Sequence, residues 1–206
     1  MSATSRPAQM RAEYSGVPLR AIAQLAKSWN FSEASFGMAA LNSYYATPSV
    51  ADEHGFALAD APWPHIFDPF RNAVAGKKVA VIGHFPFAPK ALNQAADFYM
   101  LERSLNEGDY PDSAAEYILP ECDYVFITGS AFVNKTAPRL LELSRESFNV
   151  VLGPSTPLAP VLLEDYGVSQ VTGMLPTSPL AMFEGLSGTD AGTTMFEWGH
   201  RVELSA

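Results

Sequence analysis

Polar and titratable residues follow several short apolar runs of this sequence. VAVIG (79–83) leads into His84, and FYML (98–101) leads into Glu102. An imidazole changes its charge near neutral pH, so His84 is suited to proton transfer or to metal binding. Glu102 lies about 20 residues after Gly83, where dinucleotide-binding folds place the carboxylate that binds a ribose hydroxyl. His84 and Glu102 are therefore the first two candidate catalytic residues.

The turn after Gly83 does not complete the nucleotide-binding pattern G-x-G-x-x-G. Phe85 and Pro86 occupy the space in which further glycines let the backbone approach a pyrophosphate, and Pro86 has no amide hydrogen. We therefore disfavour NAD(P) and FAD. An adenosine-type ligand without a pyrophosphate, such as S-adenosylmethionine, stays open as a cofactor or substrate.

An acidic turn, Glu107-Gly108-Asp109, follows Glu102 closely, and such a turn can bind a hard cation or orient an amine. The histidines are scattered and the chain has no H-x-H, H-E-x-x-H or C-x-x-C motif, which disfavours a closed structural zinc site. An open transition-metal site remains, with His84, Glu102 and Asp109 as candidate ligands. The single cysteine, Cys122, is expected to be a small buried residue.

Two further turns supply polar groups. Asn134, Lys135 and Thr136 stand at the start of a predicted helix, where amides and the helix dipole favour an anion. Lys135 either neutralises a carboxylate or phosphate or is solvated, and Asn134 and Thr136 serve equally well as helix caps. We count Lys135 as the third candidate catalytic residue. The candidate ligand-binding residues are Asn42, Tyr45, Gly83, Phe85, Pro86, Glu107, Gly108, Asp109, Thr128, Gly129, Asn134, Thr136, Gly153, Ser155 and Thr156.

The apolar runs predict the elements that position these residues. KKVAVIG (77–83), FYMLE (98–102), DYVFITG (123–129), NVVLG (149–153) and QVTGML (170–175) lack polar alternation, as strands buried on both faces do. Helical stretches separate them. The sequence therefore predicts an α/β fold, with a Rossmann-like parallel sheet flanked by helices. The carboxyl ends of its strands would meet at one edge.

The first part of the chain has a different pattern. Residues 17–46 predict two helices, of which the second is capped by Ser32 or by Ser35. Its predicted buried residues are Phe36, Ala40, Leu41 and Tyr44.

Residues 47–78 predict an ordered connector, because prolines interrupt any period while aromatic residues are frequent. The aromatic residues expected to pack are Phe56, Trp63, Phe67 and Phe70. We place the domain boundary near residue 75. Residues 1–75 would form a small, mainly helical N-terminal region with its connector, and residues 76–206 the Rossmann-like domain.

Composition limits the classes of partner. The chain has 206 residues, 48% of them hydrophobic, and a formal net charge of −9. An acidic surface repels phosphate backbones, so nucleic acid is not an expected partner. No apolar stretch approaches the roughly 20 residues of a membrane span, so no membrane partner is expected either. We expect a cytoplasmic protein.

Four long stretches carry a resemblance to a known family. VIGHFPF (81–87), LERSLNEGDYPDSAAEYILPECDYVFITGSAFVNKT (101–136) and VVLGPSTPLAPVLLEDYGV (150–168) resemble the C-terminal, Rossmann-like domain of proteins described as heavy-metal chelators. That family is otherwise a domain of unknown function. SWNFSEASFGMAALNSYY (28–45) resembles the helical part of the enolase N-terminal-like domain that precedes it.

The resemblance implies that the chain binds a heavy metal or a metal complex in a cleft between its two parts, which Asn42 and Tyr45 would help to close. The family's first domain opens with β-strands, whereas the first 16 residues here are polar and carry no hairpin signal. Helix faces that those strands would cover are expected to contact a second subunit in a homo-oligomer. Two alternatives stay open: an enzyme acting on an adenosine-containing or amino-acid-like molecule, and a non-catalytic regulatory protein.

Overall fold

The computed structural model describes residues 6–8, 14–60, 62–63, 65–188 and 196–206. The strands are β1 (Ala57–Leu58), β2 (Lys78–Ile82), β3 (Asp97–Glu102), β4 (Tyr110–Pro111), β5 (Tyr124–Thr128), β6 (Phe148–Leu152), β7 (Gln170–Pro176) and β8 (Gly199–Ser205). The α-helices are α1 (Leu19–Ala23), α2 (Phe31–Tyr45), α3 (Pro48–Glu53), α4 (Ala88–Ala91), α5 (Ala115–Ile118), α6 (Ser130–Val133), α7 (Ala137–Leu143), α8 (Val161–Glu164) and α9 (Pro179–Leu186).

The strands form one sheet in the order β1-β8-β7-β6-β5-β2-β3-β4. All neighbours from β7 to β4 are parallel, and β8 runs antiparallel to both β7 and β1. The strands predicted from the apolar runs are present as β2, β3, β5, β6 and β7. The α/β fold with a parallel sheet flanked by helices is therefore confirmed, while β1, β4 and β8 were not predicted.

Each face of the sheet is covered, which gives two cores. In β5, Val125 and Ile127 face one core, which includes Leu140 of α7. Phe126 faces the other core, where it packs with Phe67 of the connector. Successive side chains of a strand point to opposite faces, so burial on both faces explains the uninterrupted apolar runs.

The helix α2 begins earlier than predicted. Asn30 is its N-cap, because its side-chain oxygen accepts the backbone N–H groups of Ser32 at 3.0 Å and Glu33 at 3.2 Å. The predicted caps Ser32 and Ser35 are therefore wrong, and both lie inside the helix.

Small residues form the packed face of α2, namely Ala34, Gly37 and Ala40, together with Met38. A Cβ atom on Gly37 would lie only 2.0 Å from the backbone nitrogen of Ala26. Of the predicted buried residues, Ala40 is buried and Leu41 half-buried, but Phe36 and Tyr44 are exposed. The two aromatic predictions are wrong because close approach to the backbone at residue 26 requires the small side chains to face inwards.

The connector packs as expected, since its aromatic residues Phe56, Trp63, Phe67 and Phe70 are all buried. It also supplies β1, which pairs with Val202 and Glu203 of β8. The domain boundary near residue 75 stays a prediction. The expected absence of N-terminal strands falls mostly on residues 1–5 and 9–13, which lie outside the described residues.

None of the helices in the described part of the chain combines the length and the apolar character that crossing a bilayer needs.

Candidate functional site

A cleft of about 650 Å³ lies at the carboxyl ends of three adjacent strands, β3, β2 and β5. After β2 the chain adds β3 on one side of it and later β5 on the other side. The carboxyl end of β2 is therefore the point at which the order of strands in the sheet reverses. Open α/β sheets bind their ligands at such points. The predicted site residues that line the cleft are Gly83, His84, Phe85, Glu102, Thr128, Asn134, Lys135 and Thr136.

The strand β4 brings the acidic turn back beside β3 by pairing Tyr110 with Leu101. Asp109 therefore lies against His84, with its two carboxylate oxygens 3.0 Å and 3.2 Å from Nδ1. The side chain of Asp109 has no exposed area, whereas that of His84 is 33% exposed. Because the carboxylate engages Nδ1, Nε2 is the ring nitrogen left for a ligand.

The carboxyl group of Asp109 is held as an anion. Burial acts to raise its pKa, but hydrogen bonds from the backbone and side chain of Asn106 and from His84 outweigh burial and lower the pKa below its ordinary value. The Asn106 backbone N–H donates to Oδ2 at 3.0 Å. An ionised Asp109 fixes the orientation of the imidazole at neutral pH.

Glu102 fastens the turns that follow β2 and β3. Its Oε2 accepts the backbone N–H of His84 at 3.0 Å. Its Oε1 accepts the backbone N–H of Arg103 at 2.7 Å and, more weakly, that of Ser104 at 3.4 Å. The carboxylate thus shapes the rim of the cleft, and part of its capacity for a ribose hydroxyl is already used.

Within the described residues, no group of three His, Cys, Asp or Glu side chains is arranged to hold a metal ion. His84, Glu102 and Asp109 do lie together, but the two carboxylates are bound to backbone N–H groups and to Nδ1 of the imidazole. The predicted three-ligand metal site is therefore not assembled. The same residues form an oriented imidazole at the rim of a cleft.

The turn after β2 requires its glycine. Gly83 has φ +104°, and a Cβ atom there would lie 3.1 Å from the side chain of Thr128 and 3.2 Å from the ring of Phe85. Phe85 packs edge-on against Phe67 at 5.5 Å between ring centroids. Phe85 stands where the nucleotide-binding pattern has its second glycine, and its ring packs against the core.

Lys135 lies between the cleft and the N-terminal helices. It has φ +69°, and no other non-glycine residue in the described ranges has a positive φ. Its Nζ donates to the carbonyl oxygen of Ala26, and burial lowers the pKa of the ammonium group. The helix α7 begins just after it, at Ala137. Asn134 Oδ1 accepts the N–H of Thr136 at 3.1 Å, so Asn134 satisfies part of this turn itself.

Two arginines that were not predicted to be site residues also line the cleft. Arg103 lies 3.4 Å from the carboxylate of Asp112, and its guanidinium stands 5.8 Å from the ring centre of Phe31 in α2. Arg139 binds Glu116 at 2.5 Å, a hydrogen bond that is the main cause of its raised pKa. Arg139 lies within α7 and not at a strand end, so no strand-end signal identifies it.

The remaining candidates do not line the cleft: Asn42, Tyr45, Pro86, Glu107, Gly108, Asp109, Gly129, Gly153, Ser155 and Thr156. Several of them form a packed junction of α2, the turn after β5 and the loop after β6. Asn42 Nδ2 donates to the carbonyl of Ser155 at 2.8 Å, and a Cβ atom on Gly129 would lie 2.5 Å from the nitrogen of Thr156. Asn42 and Tyr45, which were expected to help to close the cleft, are not among its lining residues, and Tyr45 packs against His54.

Solved structures resemble most of the chain. A DUF364-family protein of unknown function from Desulfitobacterium hafniense DCB-2 is 45% identical, with a TM-score of 0.82 over 93% of this chain and 75% of its own. A DUF364-family protein of unknown function from Pyrococcus horikoshii is 22% identical, with a TM-score of 0.76 over 96% of this chain and 79% of its own, and this likeness shows the fold alone.

Among curated proteins, an uncharacterised protein of Methanocaldococcus jannaschii is 29% identical over 101 residues, which is 46% of this chain. The match spans only 39% of that protein's length. The model of the DUF364 family, described as "Putative heavy-metal chelation", matches residues 65–202. A second model, DUF4213, carries the same description and matches residues 1–45. Because the first match covers more than half of the sequence, the chain belongs to the DUF364 family.

Proposed function

We propose that the cleft binds a transition-metal ion carried by a small anionic chelator, with Nε2 of His84 as the protein's donor to the metal. The observation that carries this proposal is the pairing of His84 with Asp109 at 3.0 Å. A carboxylate on one ring nitrogen fixes the tautomer and increases the basicity of the other, as is usual for metal-bound histidines. The family description fits this function.

A metal complex suits the cleft better than a bare ion. Tight metal sites need several protein donors, and no set of three is assembled within the described residues. A chelator brings most of the donor atoms itself, so one oriented imidazole is enough to complete the coordination sphere.

Lys135 supports an anionic chelator. The other cationic side chains of the cleft have carboxylate partners: Arg103 pairs with Asp112, and Arg139 with Glu116. The ammonium of Lys135 donates to the carbonyl of Ala26, and burial is the cause that lowers its pKa. A partly desolvated ammonium gains most from an anion, because an uncompensated charge is costly away from water.

The floor of the cleft is apolar. It is lined by Ile82, Leu101, Ala131, Leu140 and Leu143. A ligand that reaches both His84 and Lys135 would lie across these side chains, so its body is expected to carry apolar carbon atoms between its polar groups.

Isothermal titration calorimetry tests this function. Nickel citrate, nickel alone and citrate alone are titrated into the wild type and into His84→Ala and Lys135→Met; iron, cobalt, copper and zinc follow. We expect the complex to bind at least tenfold more tightly than the bare ion, and each substitution to weaken it at least tenfold. His65→Ala is the matched control, because His65 makes a similar pair with Asp68 at 2.8 Å outside the cleft lining.

Bare nickel binding as tightly as the complex, or full affinity in His84→Ala, contradicts the proposal. A titration with S-adenosylmethionine and with amino acids addresses the enzymatic alternative, in which Glu102 would bind a ribose or an amine. Binding of neither the complexes nor these metabolites would favour the non-catalytic alternative.

A further inference from the structure

A buried arginine lies in the core on the opposite face of the sheet from the cleft. Arg201 of β8 stands opposite Met174 of β7, and Met174 packs in the core that contains Trp63 and Phe67. The cleft residues Leu101 and Leu140 belong to the other core. The side chain of Arg201 is only 2% exposed, so its donors must find acceptors within the protein or on a ligand.

The hydrogen bonds of this guanidinium are incomplete among the described residues. Nη1 donates to the carbonyl oxygen of His65 at 3.0 Å. Nη2 lies 3.9 Å from the carboxylate of Glu203, which is too long for a hydrogen bond, and Nε has no acceptor among the described residues. Nε and Nη2 together form the fork with which arginine binds a carboxylate through two parallel hydrogen bonds.

A third donor lies in the same layer. The indole Nε1 of Trp63, two residues before His65, is buried and also lacks an acceptor within the described part of the chain. Each buried donor without a partner lowers stability. Phe196, which is 37% exposed, packs against Trp63 at 6.0 Å between ring centroids, so this layer reaches the surface.

Two of the acidic residues near Arg201, Glu203 and Asp68, have other partners. Glu203 accepts a hydrogen bond from Gln170 at 3.2 Å, and Asp68 binds His65 at 2.8 Å and Arg71 at 3.4 Å. Burial lowers the pKa of Arg201, and the negative charges of Glu203, Asp60 and Asp68 act against this from a distance. They balance the charge of the guanidinium without supplying hydrogen bonds to its open edge.

We infer that the Nε–Nη2 edge of Arg201 and the indole N–H of Trp63 form a binding site for the carboxylate of a small molecule, separate from the cleft. Two carboxylate oxygens match the guanidinium fork, and their remaining lone pairs can accept the indole N–H. The binding involves no covalent step.

Thermal unfolding of the full chain in increasing sodium formate tests the site, with sodium chloride at equal ionic strength as the reference. A formate-specific, saturable rise in Tm of about 3 to 6 °C is expected at ten times Kd. Arg201→Lys keeps the charge but removes the fork, and should abolish the rise. Trp63→Phe keeps an aromatic ring and should weaken formate binding about five- to tenfold. Lys135→Met removes the ammonium that the proposed function assigns to the cleft ligand, and should leave the rise intact.

A wild-type rise that is no larger in formate than in chloride overturns the inference. So does a rise that Trp63→Phe leaves unchanged, or one that Lys135→Met removes, because the anion then binds in the cleft. A last alternative is that Glu203 itself binds the Nε–Nη2 edge in solution. A formate-specific rise in Tm that is seen only in Glu203→Gln would show this and would overturn the inference. If Arg201→Lys does not fold by circular dichroism, the Trp63 and Lys135 variants still decide. None of these outcomes depends on metal binding in the cleft.

Discussion

Both carboxylate oxygens of Asp109 lie against Nδ1 of His84, at 3.0 Å and 3.2 Å. The contact exists because β4 returns the acidic turn to the end of β3, and because the N–H of Asn106 holds Asp109 in place. It leaves Nε2 as the donor of the imidazole that a ligand can use.

Replacing Asp109 by Asn should weaken binding of the metal complex by about 10- to 100-fold, because a neutral amide holds the tautomer of His84 less firmly than a carboxylate and makes Nε2 a weaker donor to a metal. Calorimetry with nickel citrate measures the change. Asp68→Asn, at the His65 pair outside the cleft lining, is the matched control and should bind like the wild type. Equal affinity in the two variants would argue against an orienting function of Asp109.

Asp109 should also contribute to stability in a pH-dependent way. Its pKa is lowered in the folded chain, since hydrogen bonds from Asn106 and His84 outweigh the effect of burial. A carboxyl group whose folded pKa is depressed stabilises the fold above its ordinary pKa of about 4, and this stabilisation is lost as the pH falls through the lower folded value. Urea unfolding between pH 7 and pH 3 should therefore show that the free energy of unfolding falls less steeply with decreasing pH in Asp109→Asn than in the wild type. Parallel curves for the two proteins would contradict this.

The main contribution of Glu102 should be to stabilise the turns at the rim of the cleft through its hydrogen bonds. Glu102→Ala removes the acceptor of three backbone N–H groups and should lower the free energy of unfolding by about 1 to 3 kcal/mol. Glu102→Gln retains one acceptor oxygen and should lose less. Urea unfolding at pH 7 measures both. An equal loss in the two variants would indicate that the negative charge matters more than the hydrogen bonds.

At Gly37, helix propensity and packing predict changes in stability of opposite sign when the residue is replaced by alanine. Alanine is the better helix former, but its Cβ atom would lie 2.0 Å from the nitrogen of Ala26. Gly37→Ala should therefore destabilise the chain by about 1 to 3 kcal/mol. Ala39→Gly, at an exposed position of the same helix, should cost only about 0.5 to 1 kcal/mol. Thermal unfolding compares the two, and a stabilised Gly37→Ala would show that the contact with residue 26 is absent in solution.

Cys122 should be inert in the folded chain. Burial raises the pKa of its thiol to about 11, and thiolate is the reactive form. Alkylation by iodoacetamide at pH 8 should be at least about a hundredfold slower than in urea-unfolded protein. Mass spectrometry follows the reaction. Comparable rates in the two states would mean that the thiol is open to solvent.

The sequence predicts the sheet well because its central strands are buried on both faces, and this leaves apolar runs that few other structures produce. The neighbourhood of His84 and Glu102 follows from the same pattern, since the ends of adjacent parallel strands must meet. Arg139 is harder to predict, because it lies within a helix. Asp109 was predicted to belong to the same site as His84, but its contact with Nδ1 depends on a two-residue strand that leaves no period in the sequence.

The errors in α2 and β8 have physical causes. Asn30, Ser32 and Ser35 are all good caps, and only the extended backbone at residue 30, with ψ 114°, selects the first. In β8, Arg201 occupies a core-facing position, so the alternation typical of a half-buried strand is masked by a charged residue.

The short strand β1 protects the outer side of β8, where Ala57 and Leu58 pair with Glu203 and Val202. A fragment that starts near residue 76 would leave that side as an open template for intermolecular strand pairing. A fragment made to express the sheet alone should therefore begin before Phe56, so that it includes β1.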